Sequence, residues 1–235
     1  YGDNCARGKT LVSNEKGPML TIWDANFNLS DECKFDLTKK NIIAAESNYL
    51  RLCAAPGSTI TAESLTTHGA SFKVGQSTPH SAYQKWVEGF NSANGTQWSA
   101  VPYGSSGKAR RGILAGDIDL VFISPSNSNK LMKAGGTCFF STSPEGEPRH
   151  TLPALSSVTS YDMASINQAY FYATKNIGWY KQRALRKLFD SIANGESTEF
   201  THFAGTKDIY LVGTTSQMST KQMVAFITES IDNWR

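Results

Sequence analysis

The chain has little excess charge of either sign. Lys plus Arg number 23 against 20 Asp plus Glu, a net charge of +3 over 235 residues. No run of Lys and Arg stands out, so nucleic acid is not expected as a partner. Apolar runs approaching the ~20 residues of a spanning helix are also absent, which excludes a helical membrane protein. Heptad and collagen-like repeats are missing, as are low-complexity linkers. The four cysteines, Cys5, Cys33, Cys53 and Cys138, form no Cys-x-x-Cys pair, and this argues against a zinc site. Their number and scatter leave two disulfides and four unrelated thiols equally open. There is no P-loop, GxGxxG, HExxH or GxSxG motif, so no nucleophile–base set and no cofactor is expected, and the chain does not read as an enzyme. No signal-peptide core follows Tyr1, which reads as a processed, trimmed or incompletely recorded start.

What is present is a globular composition, 40% apolar and 18% charged, in a length that suits one large domain or two small ones. Residues 1–40 are rich in turn formers (Gly2, Gly8, Gly17, Pro18), with strand-like pieces at Thr10–Ser13 and Met19–Trp23. Asn41–Ala45 and Tyr49–Ala54 read as buried strands. Over residues 71–141 short apolar strands alternate with helical patterns. Strands are expected at Ser71–Val74, Trp98–Tyr103, Ile118–Ile123 and Cys138–Ser141. The first helix starts at Thr78 as cap and Pro79 as first residue, then shows Ala82, Trp86 and Phe90 on one face before Gly95. The second runs to Gly116 and the third from Ser124-Pro125 to Gly135-Gly136. This alternation predicts βα units and a mainly parallel sheet. Downstream, a strand at Tyr170–Ala173, helices near Trp179–Asn194 and Ser197–Ala204, a strand at Ile209–Val212 and a terminal helix through Trp234 are expected.

The side chains that could carry chemistry are few. Asp117 and Asp119 flank Ile118 at a strand entry, where one solvated and one hydrogen-bonded carboxylate explain them better than an acid/base pair. Lys108, Arg110 and Arg111 read as a solvated helix face. Asn28 and Asn94 begin glycosylation sequons by pattern. The one positive feature is a pair of strand-to-helix loops rich in Gly, Ser and Thr, at residues 75–80 and 103–107. Helix N-termini present free N–H groups and partial positive charge, which suits a carboxylate or phosphate. In open parallel sheets such loops lie beyond the C-terminal strand ends.

An ordered set of motifs resembles the tripartite tricarboxylate transporter receptors, the Bug proteins. Val101-Pro102-Tyr103 with Gly-Ser-Ser-Gly-Lys-Ala, then Ile113 to Phe122, resembles that family's VPY segment and GG-x-VD strand. Gly75-Gln76-Ser77-Thr78-Pro79-His80 resembles its G-x-S-S-x-H loop. Lys130–Gly135 resembles its IKAGK, and Val212-Gly213 through Ile227 to Trp234 its C-terminal segment. The family's opening βαβα, with its P-x-GG-x-x-D loop, has no counterpart here, and the match starts near Thr10-Leu11-Val12.

The resemblance implies a periplasmic or extracellular solute-binding receptor of the periplasmic-binding-protein type II-like α/β class. Two lobes with mainly parallel sheets are joined by crossing strands, the first lobe being incomplete. The implied lobes are residues 1–55 with 139–235, and 56–138. The implied ligand is a small carboxylate held by Gly75, Gln76, Ser77, Thr78 and His80, with Asn48, Asp119 and Ser124 nearby, and handed to a membrane permease. With half of the clamp missing, millimolar affinity or none is expected. The alternative is a structural protein on the receptor fold that pairs with another copy or chain at its incomplete lobe. The resemblance also implies that strands near Leu50–Ala54 and Thr137–Ser141 run side by side. Cys53 and Cys138 would then lie within the ~4.4–6.8 Å Cα range of a disulfide, leaving Cys5 and Cys33 as the second pair in an oxidising compartment.

Overall fold

The computed structural model describes residues 14–24, 42–76, 81–143, 147, 151–159, 168–194, 196, 198–199, 210–212, 222 and 225. In chain order its elements are β1 (Met19–Asp24), β2 (Ile42–Asn48), β3 (Arg51–Ala54), β4 (Lys73–Gln76), α1 (Ser81–Asn94), β5 (Ser99–Pro102), α2 (Ser106–Ala115), β6 (Leu120–Ile123), α3 (Pro125–Lys133), β7 (Thr137–Ser141), β8 (Gln168–Lys175), α4 (Trp179–Ala193) and β9 (Tyr210–Val212). They fall into two compact units, one from residues up to 48 and from 168 onward, the other from residues 49–167.

In the second unit the strand order is β5-β4-β6-β3-β7. Strand β4 runs parallel to both β5 and β6, whereas β3 is antiparallel to β6 and β7. The expected parallel βα sheet is therefore the β5-β4-β6 half. The crossing strands β3 and β7 hydrogen-bond into the same sheet rather than outside it, because β3 pairs directly with β6. Side chains alternate across the sheet as the pleat requires. On one face Leu52, Val74, Leu120 and Phe122 pack with Tyr83, Trp86, Val87 and Phe90 of α1. On the other, Cys53, Val121 and Ile123 pack with Ala109 and Ile113 of α2 and Leu131 of α3. All four residues of β6 are buried, as expected of a strand covered by helices on both faces. Each such side chain contributes about 1.5–3 kcal/mol by leaving water.

The helices stop where the sequence indicates. Gly116 caps α2 at φ 80° in the left-handed region, its N–H bonding to Gly112 O and Ile113 O, a conformation that costs glycine little. Gly95 follows α1 at φ 67°. The cap expected at Thr78 and Pro79 lies outside the described residues.

In the first unit the order is β1-β8-β2-β9 and every pairing is antiparallel. Among the described residues, parallel strand pairing is thus found in the second unit alone. Helix α4 covers this sheet: Arg186 Nη2 donates to Ile42 O at 3.1 Å, and the Phe189 ring lies 4.8 Å from that of Tyr172. The inward residues Gln182, Leu185, Arg186 and Phe189 are half-buried and recur at three- and four-residue spacing.

Two cross-links hold the second unit. Cys53 and Cys138 form a disulfide, with Cα atoms 3.9 Å apart. This is nearer than the expected span because the two residues face each other directly across β3 and β7. Cys5 and Cys33 lie outside the described residues. The second link is ionic. Arg51, wholly buried in β3, forms an ion pair with Glu147 through Nη2, and its Nε donates to Glu147 Oε2 at 2.9 Å. Arg51 Nη1 donates to Ser128 Oγ at 3.0 Å and Asn129 Oδ1 at 2.6 Å, both on α3. Ser141 Oγ of β7 donates to Glu147 Oε1 at 2.7 Å.

Three outcomes are expected. Replacing both Cys53 and Cys138 by Ala frees a loop of 85 residues and lowers unfolding free energy by about 2–5 kcal/mol in urea titration; an unchanged midpoint would count against a structural role. Glu147→Ala strands a buried guanidinium and costs about 3–5 kcal/mol, whereas the double change Arg51→Met with Glu147→Leu recovers most of it. Burial pushes the Tyr83 phenol well above its ordinary value of 10.0, and its hydroxyl has no hydrogen-bond partner among the described residues. A raised folded value means the stability is intact below pH ~10 and drains away above it. Tyr83→Phe should therefore flatten the alkaline loss and add about 1 kcal/mol at pH 7, as read by denaturation at several pH values.

Candidate functional site

Strands β5, β4 and β6 are parallel neighbours, so their C-terminal ends share one edge of the sheet. Each is followed closely by a helix: α1 begins at Ser81 after β4, α2 at Ser106 after β5, and α3 at Pro125 after β6. Three helix N-termini therefore open on the same side. The first-turn N–H groups of a helix have no carbonyl within their own helix to bond. At α2, the Ser105 side chain caps Lys108 N at 3.2 Å, which leaves Ser106 N and Gly107 N beyond reach of any helical carbonyl. At α3 the Ser124 carbonyl accepts from Asn127 N and Ser128 N. Ser124 N donates to Ser106 Oγ at 3.5 Å, which ties the starts of α2 and α3 together. Ser124 Oγ accepts from Asn127 Nδ2 at 3.2 Å.

Gln76 ends β4 at this edge, opposite Pro102 and Phe122. Alternation puts its side chain on the α1 face with Val74. It is wholly buried, and neither Nε2 nor Oε1 has a hydrogen-bond partner among the described residues. An unpaired buried amide costs about 1–3 kcal/mol, so this position is not occupied for stability.

Packing on the α2 face holds residue 75 to glycine. A Cβ there would lie 2.3 Å from Ile118 Cδ1 and 3.3 Å from the Tyr103 ring, and its φ is not in the left-handed range. The Tyr103 ring in turn fills the space above Gly112, where a Cβ would lie 2.3 Å from the phenol oxygen. Burial and the Asp117 charge raise the Tyr103 phenol.

Of the residues singled out from sequence, the structure brings Gly75, Gln76 and Ser124 to one edge. Asp119 lies at the opposite end of β6, exposed, where its Oδ2 accepts from Lys73 N at 2.7 Å. It pins the entry of β4 to β6 and does not meet the others. Asn48 ends β2 in the first unit. Ser77, Thr78 and His80, like Asn28, lie outside the described residues. Asn94 is described, and its Nδ2 donates to Phe90 O at 2.9 Å and Thr159 Oγ1 at 3.1 Å. Lys108 and Arg111 are exposed on α2, as a solvated face requires, whereas Arg110 is half-buried and its Nε is out of reach of water.

Sequence reasoning missed two features here. The sequence marks Gln76 as an implied ligand contact but not as a wholly buried amide without a partner among the described residues. A polar residue closing a buried strand was the available signal. The Arg51 network, which clamps the first turns of α3, was also missed. A lone Arg between Leu50 and Leu52 in an apolar strand demands a buried carboxylate partner, but its position 96 residues away at Glu147 has no local signature.

No protein-family model matches this sequence, and no curated protein matches it. Solved structures do share its architecture. A periplasmic transporter superposes with a TM-score of 0.73 at 14% identity, over 97% of this chain and 80% of its own. The periplasmic binding protein BugD gives 0.71 at 13% identity, over 97% and 80%. An R. palustris protein solved with adipate gives 0.71 at 16% identity, over 92% and 75%. At such identities the likeness is one of fold, and the chain has the α/β fold of these periplasmic binding proteins.

Proposed function

We propose that the chain is an extracytoplasmic solute-binding receptor that takes a small carboxylate at the shared edge of β5, β4 and β6 and delivers it to a membrane permease. The observation that carries this reading is the Gln76 amide, buried and unpartnered where three helix starts converge. Helix N-termini supply partial positive charge and free N–H groups without a formal cation. A carboxylate there would accept from Ser106 N, Gly107 N and Gln76 Nε2. In this reading Ser77, Thr78 and His80 add donors from the segment that follows β4. The adipate held by one structural neighbour supports the ligand class, and the periplasmic setting of two others supports the location.

Charge-assisted bonds contribute about 1.5–3 kcal/mol each, and a few of them must offset the ligand's lost freedom. Calorimetry with succinate, malate, adipate and citrate, against their diamides, should give millimolar dissociation constants for carboxylates and none for the diamides. Gln76→Leu should weaken the best ligand roughly tenfold or more. It should also raise the unfolding midpoint, because an unpaired buried amide is removed. Silence from every carboxylate, or a Leu variant that binds like the parent, would reject the site.

A further inference from the structure

The outward face of α4 is unlike the rest of the described surface. Trp179 at 63% and Tyr180 at 82% exposure stand in solvent at its start, and Leu188 at 53% stands on the opposite flank of the helix. Exposed Lys181, Arg183 and Lys187 lie among them. The helix carries four cations and a single carboxylate, Asp190, which is half-buried. Trp179 and Tyr180 touch edge to face at 4.9 Å, and the Arg183 guanidinium sits 5.6 Å from the Trp179 ring centre. The opposite face of the helix is already used against the sheet through Arg186 and Phe189, so these residues are not a displaced core. Two further apolar side chains are exposed in this unit. Ile22 of β1 stands opposite Tyr172, whose ring contacts Phe189, so Ile22 and Leu20 lie on the side of the sheet that bears α4. They are 53% and 46% exposed.

We propose that this face of α4 docks on an anionic phospholipid surface, with the helix lying in the headgroup plane. The combination fits that occupant in three respects. Fifteen residues make a rod about 22 Å long, too short to span a bilayer but enough to lie along one. Trp and Tyr beside cations are the side chains favoured at headgroup depth, the rings buried and the charges reaching out. Two of the three exposed cations are lysines, point charges that suit the diffuse field of many headgroups better than forked recognition of one carboxylate.

Co-sedimentation of the full chain with vesicles tests this. Vesicles containing phosphatidylglycerol should retain the protein at low salt and release it as salt rises. Vesicles of phosphatidylcholine alone should not retain it. Replacing Lys181, Arg183 and Lys187 by Gln together should weaken retention about a hundredfold. Trp179→Ala with Tyr180→Ala should also weaken it, with far less effect on the salt dependence. Both variants touch only exposed side chains, and their unfolding midpoints and carboxylate binding should match the parent. Equal retention on neutral vesicles, no retention on anionic ones, or a triple-Gln variant that sediments like the parent would overturn the proposal. So would capture by an acidic polypeptide without capture by vesicles, which would assign the face to a protein instead.

Discussion

A guanidinium without water must be given its hydrogen bonds by the protein, and in the second unit that requirement organises four separate parts of the chain. Arg51 opens β3, opposite the last residues of β6 and β7, with no solvent access. Its partners come from α3, from the segment at Glu147 and, through Glu147, from Ser141 of β7. A buried ion pair adds little net stability over an apolar replacement, because desolvating both charges cancels most of the attraction. Its effect is on arrangement. Only one placement of α3 and of residue 147 satisfies Arg51, and any other leaves a charge uncompensated. Serine at 128 is drawn into the same set, so the first turn of α3 is held against the sheet edge where the other helices begin.

That edge is where stability is given up. Parallel strands bring their ends together, and the helices that cross back over the sheet necessarily start there. The Gln76 amide at this edge has no hydrogen-bond partner among the described residues, and the first-turn N–H groups of α2 have no carbonyl within their own helix. A core built only for stability would close β4 with an apolar residue. Polar atoms kept dry and unbonded make sense where a polar partner arrives from outside. The same logic separates Gln76 from Asp119. The latter is exposed and bonded to the Lys73 backbone, so its carboxylate already has its partner.

The first unit follows a different rule. Its sheet is antiparallel and α4 covers one side through an apolar and partly basic stripe. The other side of α4 leaves Trp179 and Tyr180 largely in water, where among the described residues their ring contacts are with each other and with Arg183, and the surrounding cations favour negative charge.

Local order was largely legible from the residues. Period-two and period-four apolar spacing, the Gly95 and Gly116 stops and the Ser124-Pro125 start each follow from interactions within a few positions, whereas the Ser105 cap of α2 has to be read from the structure. The alternation of strand and helix was enough to imply parallel pairing for β5, β4 and β6, because a strand followed by a crossing helix returns in the same direction. Burial, register and charge pairing required the tertiary structure. Which face of β4 holds Gln76, why Gly75 must lack a side chain beneath Ile118, and that Asp119 and Ser124 stand at opposite ends of one strand all depend on neighbours distant in sequence. The partnership of Arg51 with Glu147 spans 96 residues and is set by sheet order alone. Residue order places most strands and helices, because nearby backbone groups make those choices, but β4 spans Lys73–Gln76 where Ser71–Val74 is expected, so Gly75 and Gln76 belong to the strand and not to the loop. Only the folded sheet decided which of the remaining polar groups found partners, since a hydrogen bond across a core exists only once the strands between its ends have been placed.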